Sequence, residues 1–180
     1  MSAEATGRTC KIKSIVYGLL AVLMMCAIFT FSSQNGTRSS SLSYSIAWAL
    51  AQVISALQGA SSTISVSDLA DALEFPIRKL AHVTEYAILA GLVSACTLNL
   101  QEVKQKRNIW NYPTYTSIAI AICVIYAATD ELHQTIIPGR CGQAIDVVVD
   151  SIGIIIGAVI VATCHRYFKE KRQTRKHSNR

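Results

Sequence analysis

Asp130, Glu131, His133, Gln134, Arg140, Asp146 and Asp150 fall within the 21-residue stretch DELHQTIIPGRCGQAIDVVVD, between two runs apolar enough to lie in lipid. Ionisable side chains at the centre of a membrane helix cost about 2.5–3.5 kcal/mol each on insertion scales, so such a cluster marks a functional site by default. A second group precedes it: Lys79, His82, Glu85 and Tyr86 recur at helical spacing at the start of another apolar run, and that spacing puts them on one face. Histidines and carboxylates gathered at one depth can pass protons or bind a metal. An arginine beside backbone N–H groups at a helix N-terminus, as Arg140 would be, is a natural seat for a phosphate or carboxylate.

The elements that carry these residues follow from composition. Of 180 residues, 51% are hydrophobic and only 16% charged, which is apolar for a soluble domain. Four runs, at about 12–31, 80–100, 114–134 and 144–164, have the length that a helix needs to cross hydrocarbon about 30 Å thick. The first is longer than the apolar core of a signal peptide and closes on Phe29-Thr30-Phe31 rather than on small residues, so it reads as a retained anchor. Between the first two runs, Ser32–Ser43 reads as a polar turn segment. Ile46–Leu57 has amphipathic spacing and reads as an interfacial helix with Trp48 near the headgroups or as a helix packed on the bundle. Asp68–Glu74 reads as a short helix stopped by Pro76. The fold class is therefore all-α: a polytopic membrane protein of four transmembrane helices, with short interfacial helices in the first external loop.

Charge placement sets the expected topology. Of 17 Lys and Arg, 13 lie in the N-terminus, in the loop holding Lys104, Lys106 and Arg107, or in the tail. All flank apolar runs, as expected of cytoplasmic segments. Residues 1–11 and the basic tail 166–180 are thus expected inside, around a membrane domain of residues 12–165. That distribution speaks for membrane lipids as partners and against nucleic acid, despite a net charge of +6. The six Cys make no disulfide framework: Cys26, Cys96, Cys123 and Cys164 lie in or beside apolar runs, and Cys141 has no evident partner. Gly153 and Gly157 form a small-xxx-small pair suited to close helix packing within the chain.

The segments FSSQNGTRSSSLS, RKLAHVTEYAILAGL, and DELHQTIIPGR followed by QAIDVVVDSIGIIIG resemble the VanZ family of bacterial membrane proteins. The resemblance runs from about Phe31 to Gly157. It implies a small multi-pass protein of the bacterial cell membrane, of a kind whose namesake is associated with low-level resistance to teicoplanin-type glycopeptides. It does not imply a chemical step, and Asp150 stands where many relatives carry Asn.

Two classes of function remain open. In one, an enzyme acts at the outer leaflet on a lipid-linked or cell-envelope substrate bearing phosphate. His82, Glu85, Asp130, Glu131, His133 and Asp146 are then the candidate catalytic groups, and Lys79, Tyr86, Gln134, Arg140, Ser33 and Gln34 the candidate substrate-binding groups. In the other, a non-catalytic protein binds or shields a lipid-linked cell-wall precursor or an amphiphilic glycopeptide. Interhelical hydrogen bonding alone accounts for the same polar residues in the bundle. His82, Glu85, Asp130 and His133 are also candidate ligands for a divalent metal, although a metal-free acid–base pair needs fewer assumptions. G-x-S-x-G, H-E-x-x-H and Walker signatures are all absent from the sequence.

Overall fold

The computed structural model of the chain describes residues 3–58, 64–103, 112–140 and 142–178, and among these every regular element is a helix. In chain order they are α1 (Ala3–Ser32), α2 (Gly36–Gln58), α3 (Val66–Val103), α4 (Tyr112–Gln134) and α5 (Ala144–Ser178). All five are long and apolar enough to cross a membrane by length and composition. The protein is an all-helical, multi-pass membrane protein.

Helices α1, α4, α5 and the second half of α3 pack as a bundle around a core rich in small residues, among them Ala21, Ala90, Ala119, Ala127 and Ala158, with Tyr86 and Leu89 as the bulk. Small residues suit a membrane bundle, where close backbone approach replaces the hydrophobic effect as the source of attraction. Ser14 Oγ on α1 bonds the Cys96 carbonyl of α3 at 3.1 Å near one end. Ser32 Oγ, at the other end of α1, reaches Asp130 of α4 at 2.6 Å. The rise from Ser14 to Ser32 is about 27 Å, close to the thickness of a hydrocarbon core. Apolar side chains such as Leu19, Leu23, Ile125 and Ile160 are exposed between those levels and form the lipid-facing belt. Lys11 and Lys13 precede Ser14 on α1, and Lys169 pairs with Glu102 at 3.0 Å at this same basic end.

Helices α3 and α5 run parallel, because their contacts advance together along both chains. A Cβ added at Gly153 would lie 2.1 Å from the Val83 carbonyl oxygen, and one at Gly157 would lie 2.0 Å from that of Ala87. The two glycines therefore serve packing within the chain, as their spacing suggests.

The segment between the first two expected spans departs from expectation. Only 33–35 separate α1 from α2, so the serine-rich stretch is mostly helical rather than a turn. Its hydroxyls are satisfied within the helix by bonding back one turn, Ser43 to Ser39 O at 3.2 Å and Ser45 to Ser41 O at 2.9 Å. Pro76 does not stop a helix either, since it lies inside α3. The hydrogen bond that proline removes is offset by packing, as Tyr44, Ala47 and Ala51 of α2 close over Val66, Leu69, Ala70, Leu73 and Ile77 on both sides of Pro76. The product is one 38-residue helix, about 57 Å long, whose first half forms an antiparallel hairpin with α2. The amphipathic helix expected over Ile46–Leu57, interfacial or packed on the bundle, is the later part of α2 and packs on α3 through Ala47 and Ala51. Helix α5 continues through much of the basic tail to Ser178. The expected loop residues Lys104, Lys106 and Arg107, and Cys141, lie outside the described residues.

Candidate functional site

A connected set of hydrogen bonds spans α1, α4 and the turn before α5. Asp130 is 3% exposed. Its Oδ2 accepts from Ser32 Oγ at 2.6 Å and from Gln134 Nε2 at 3.0 Å. The Gln134 amide oxygen accepts in turn from Arg140 NH1 at 3.1 Å. Arg140 also donates from Nε to Gln34 O at 3.1 Å and from NH2 to Phe31 O at 3.2 Å. Phe31 is in the last turn of α1 and Gln34 lies just past it, so the guanidinium sits at a helix C-terminus, where the helix dipole favours a cation. Among the described residues, three of its five N–H groups are engaged in this way. Partial burial presses the Arg140 pKa downward and the Asp130 carboxylate opposes that shift, but an arginine remains charged in either case.

The turn that aims Arg140 depends on close backbone approach. Gly139 has φ +74°, a conformation that glycine adopts at low cost. Gly36 N donates to Pro138 O at 3.1 Å, and a Cβ at Gly36 would lie 1.9 Å from Gly139 O. The start of α2 is thereby clamped to the turn.

Above this network lies a cavity of about 140 Å³ between the end of α1, the start of α2 and α3. Arg140 and Arg78 contribute positive charge to its walls, while His82 and Glu85 stand on the α3 side. Arg78 is held by Glu74 at 3.6 Å and by Ser40 Oγ at 3.2 Å. Ser32, Ser39 and Ser43 supply hydroxyls. His82 lies in the fields of both Arg140 and Asp130, and Glu85 in the same two. Such a cavity can take a planar or tetrahedral oxyanion on its guanidinium groups, with an imidazole and a carboxylate beside it to move a proton.

The expected site residues divide among five places. His82, Glu85, Gln34 and Arg140 line the cavity, and Asp130 and Gln134 form the network beneath it. Glu131, Asp146 and Lys79 hold the start of α5. Glu131 Oε2 accepts from Gln143 N at 3.1 Å, and Lys79 Nζ meets Asp146 Oδ1 at 2.5 Å. Tyr86 is fully buried in the core. His133 and Ser33 form a separate pair, with the imidazole stacked on Phe29 at 4.5 Å between ring centroids and Nε2 3.2 Å from Ser33 Oγ. The four candidate metal ligands are accordingly divided between the cavity, the network and the Phe29 side. Among the described residues no three His, Cys, Asp or Glu side chains are placed to hold a metal ion.

Arg78 and Ser32 are polar residues of the cavity that were not among the expected site residues. Arg78, His82 and Glu85 stand at i, i+4 and i+7 and share the cavity wall, whereas Lys79 and Tyr86 turn toward α5 and the core. The arginine next to Lys79 was a discoverable signal. Ser32, not its neighbour Ser33, joins Asp130, because Ala21, Ile28 and Ser32 continue the buried stripe of α1 while Ser33 is exposed.

A family model described as VanZ/LLP1 matches residues 17–165. No curated protein and no solved structure matches the chain.

Proposed function

Because the chain belongs to the VanZ/LLP1 family and is built as a multi-pass membrane bundle, we propose that it binds a phosphate-bearing molecule of the bacterial cell envelope at the outer face of the membrane. The observation that carries this proposal is the convergence of Arg78 and Arg140 with His82 on one cavity at the end of the bundle opposite Lys11, Lys13 and Lys169. By the positive-inside rule that basic end, with both termini, faces the cytoplasm. The cavity then opens at the level of the outer headgroups. A lipid-linked phosphate reaches that depth with its chain still in hydrocarbon.

His82 and Glu85, one turn apart on the cavity wall, favour a second reading in which the bound phosphate is also a substrate. One of them would take a proton from the attacking group and the other would return one to the leaving group. An association with teicoplanin-type resistance rests on the family resemblance. It would follow from shielding or altering a cell-wall precursor.

Native mass spectrometry of the detergent-purified full chain, offered a polyprenyl phosphate and an uncharged diacylglycerol, tests the binding proposal. Retention of the phosphate by the native chain, and its loss from Arg78→Gln, supports it. Equal retention of both molecules contradicts it.

A further inference from the structure

The α2 and α3 hairpin extends past the end of the bundle that holds the cavity. Arg78 lies on α3 about 27 Å from Cys96, the same rise as from Ser14 to Ser32 on α1, and Arg78 and Ser32 both line the cavity. From Arg78 back to its start at Val66, α3 continues through Pro76 for about 18 Å more. Helix α2 follows it, since Ser40 accepts from Arg78 at 3.2 Å and Tyr44, Ala47 and Ala51 pack on Val66, Leu69, Ala70, Leu73 and Ile77. The thickness of a hydrocarbon core is already spanned where the hairpin begins.

The hairpin is thinly packed for a structure in water. Its fully buried residues, Ala47, Ala51 and Ala70, are all alanines, and Tyr44, Val66, Leu69, Leu73 and Ile77 are only partly buried against them. The side of α2 turned away from α3 is divided in two. One part exposes Ser41, Ser45 and Gln52. The other is an apolar stripe within an arc of about 120°. Leu42, Ile46, Leu50, Val53 and Leu57 are between 42% and 84% exposed there, and Ala49 and Ala56 are exposed beside them.

Spacing and charge identify what covers the stripe. Leu42, Ile46, Ala49, Val53 and Ala56 alternate by four and three residues, the 3.5-residue period of a seam between two helices, and β-branched Ile46 and Val53 take the position favoured for such residues in parallel pairs. Hydrocarbon imposes no such period and has no use for the polar face beside it. Residues 39–58 contain no Asp, Glu, Lys, Arg or His, so two copies of the stripe meet without like-charge repulsion. Every copy is inserted the same way up, because topology is set by sequence. A twofold axis relating two copies therefore runs along the membrane normal and brings the stripes together in parallel, each residue level with itself.

We propose that α2 pairs with α2 of a second copy, joining the two hairpins into a four-helix bundle beside the membrane. Leu42 stands where the seam meets the cavity, so the cavity of each copy lies at the foot of the pair. This pairing does not depend on what the cavity binds.

The test is cysteine cross-linking in native membranes, in full-length variants lacking the six native Cys. Mild oxidation should convert most of Val53→Cys and Ile46→Cys to a disulfide-linked species of twice the chain mass. Gln52→Cys, at nearly the same height on the polar face, should remain as single chains. Native mass spectrometry of the native chain in mild detergent should give two chains per particle. The double variant Ile46→Gln/Val53→Gln changes only exposed side chains, and should give one chain per particle with its helical content unchanged by circular dichroism. Equal cross-linking at Gln52 and Val53 would reflect random collision and overturn the proposal. So would single chains throughout, which leave the stripe to lipid, a cross-linked species containing another protein, or a double variant that stays paired.

Discussion

Ser32 and Asp130 lie 98 residues apart in sequence and are joined by a 2.6 Å hydrogen bond that fixes the end of α1 against α4. The bond is buried, and Asp130 Oδ2 also accepts from Gln134, so loss of the hydroxyl leaves a buried carboxylate oxygen short of a donor. Ser32→Ala is expected to destabilise the protein by about 1–3 kcal/mol. Ser33→Ala, at an exposed position, is expected to stay within about 0.5 kcal/mol. Thermal or denaturant unfolding of the two variants checks the difference, and equal effects would mean that the Ser32 bond contributes nothing.

Arg140→Lys should be damaging although charge is retained. The guanidinium reaches Gln34 O, Gln134 Oε1 and Phe31 O from three separate nitrogens, and one ammonium cannot reproduce that fork. Loss of about 1–3 kcal/mol of stability is expected for the acceptors left open. Headgroup binding should weaken in parallel. A variant as stable as the native chain would show that Arg140 does not brace α1.

Gly36→Ala and Gly157→Ala should each be strongly destabilising, by more than about 2 kcal/mol, since their new Cβ atoms would lie 1.9 and 2.0 Å from backbone oxygens that cannot move independently. Gly7→Ala is the control. Nothing lies within 4 Å of its added Cβ, and inside a helix the change should be neutral or stabilising.

Orientation is open to direct labelling. In a variant lacking the six native Cys, an impermeant maleimide added to intact cells should modify Ser41→Cys, which is exposed on α2, and should spare Lys13→Cys at the basic end. The reverse pattern would invert the protein and move the cavity to the inner face.

The bundle was legible because lipid imposes a length on apolar runs and tolerates charge only where it is paired or functional. For the same reason His82, Glu85, Asp130 and Arg140 stood out against their surroundings. Finer placement was not legible. Lys79 and Arg78 are one residue apart, and helical spacing admits either beside His82. The choice is made by α5, where Asp146 captures Lys79, and by α2, where Ser40 accepts from Arg78. His133 shares a sequence motif with Asp130, yet its ring finds Phe29 on the side of α1 away from the network. The α2 and α3 hairpin was obscured by Pro76 and by a run of serines. Both are ordinary loop signals, overridden here by packing of Ala47 and Ala51 on Ala70.

The central claim, that the cavity bounded by Arg78, His82 and Arg140 binds a phosphate-bearing headgroup, is tested most directly by a binding isotherm. Short-chain phosphatidic acid would be titrated into the native chain and into Arg78→Gln in a neutral detergent. Losing one of two guanidinium groups should weaken binding at least tenfold, about 1.4 kcal/mol, with the unfolding midpoint unchanged within about 2 °C. Equal affinity in the two proteins, both folded, would contradict the claim.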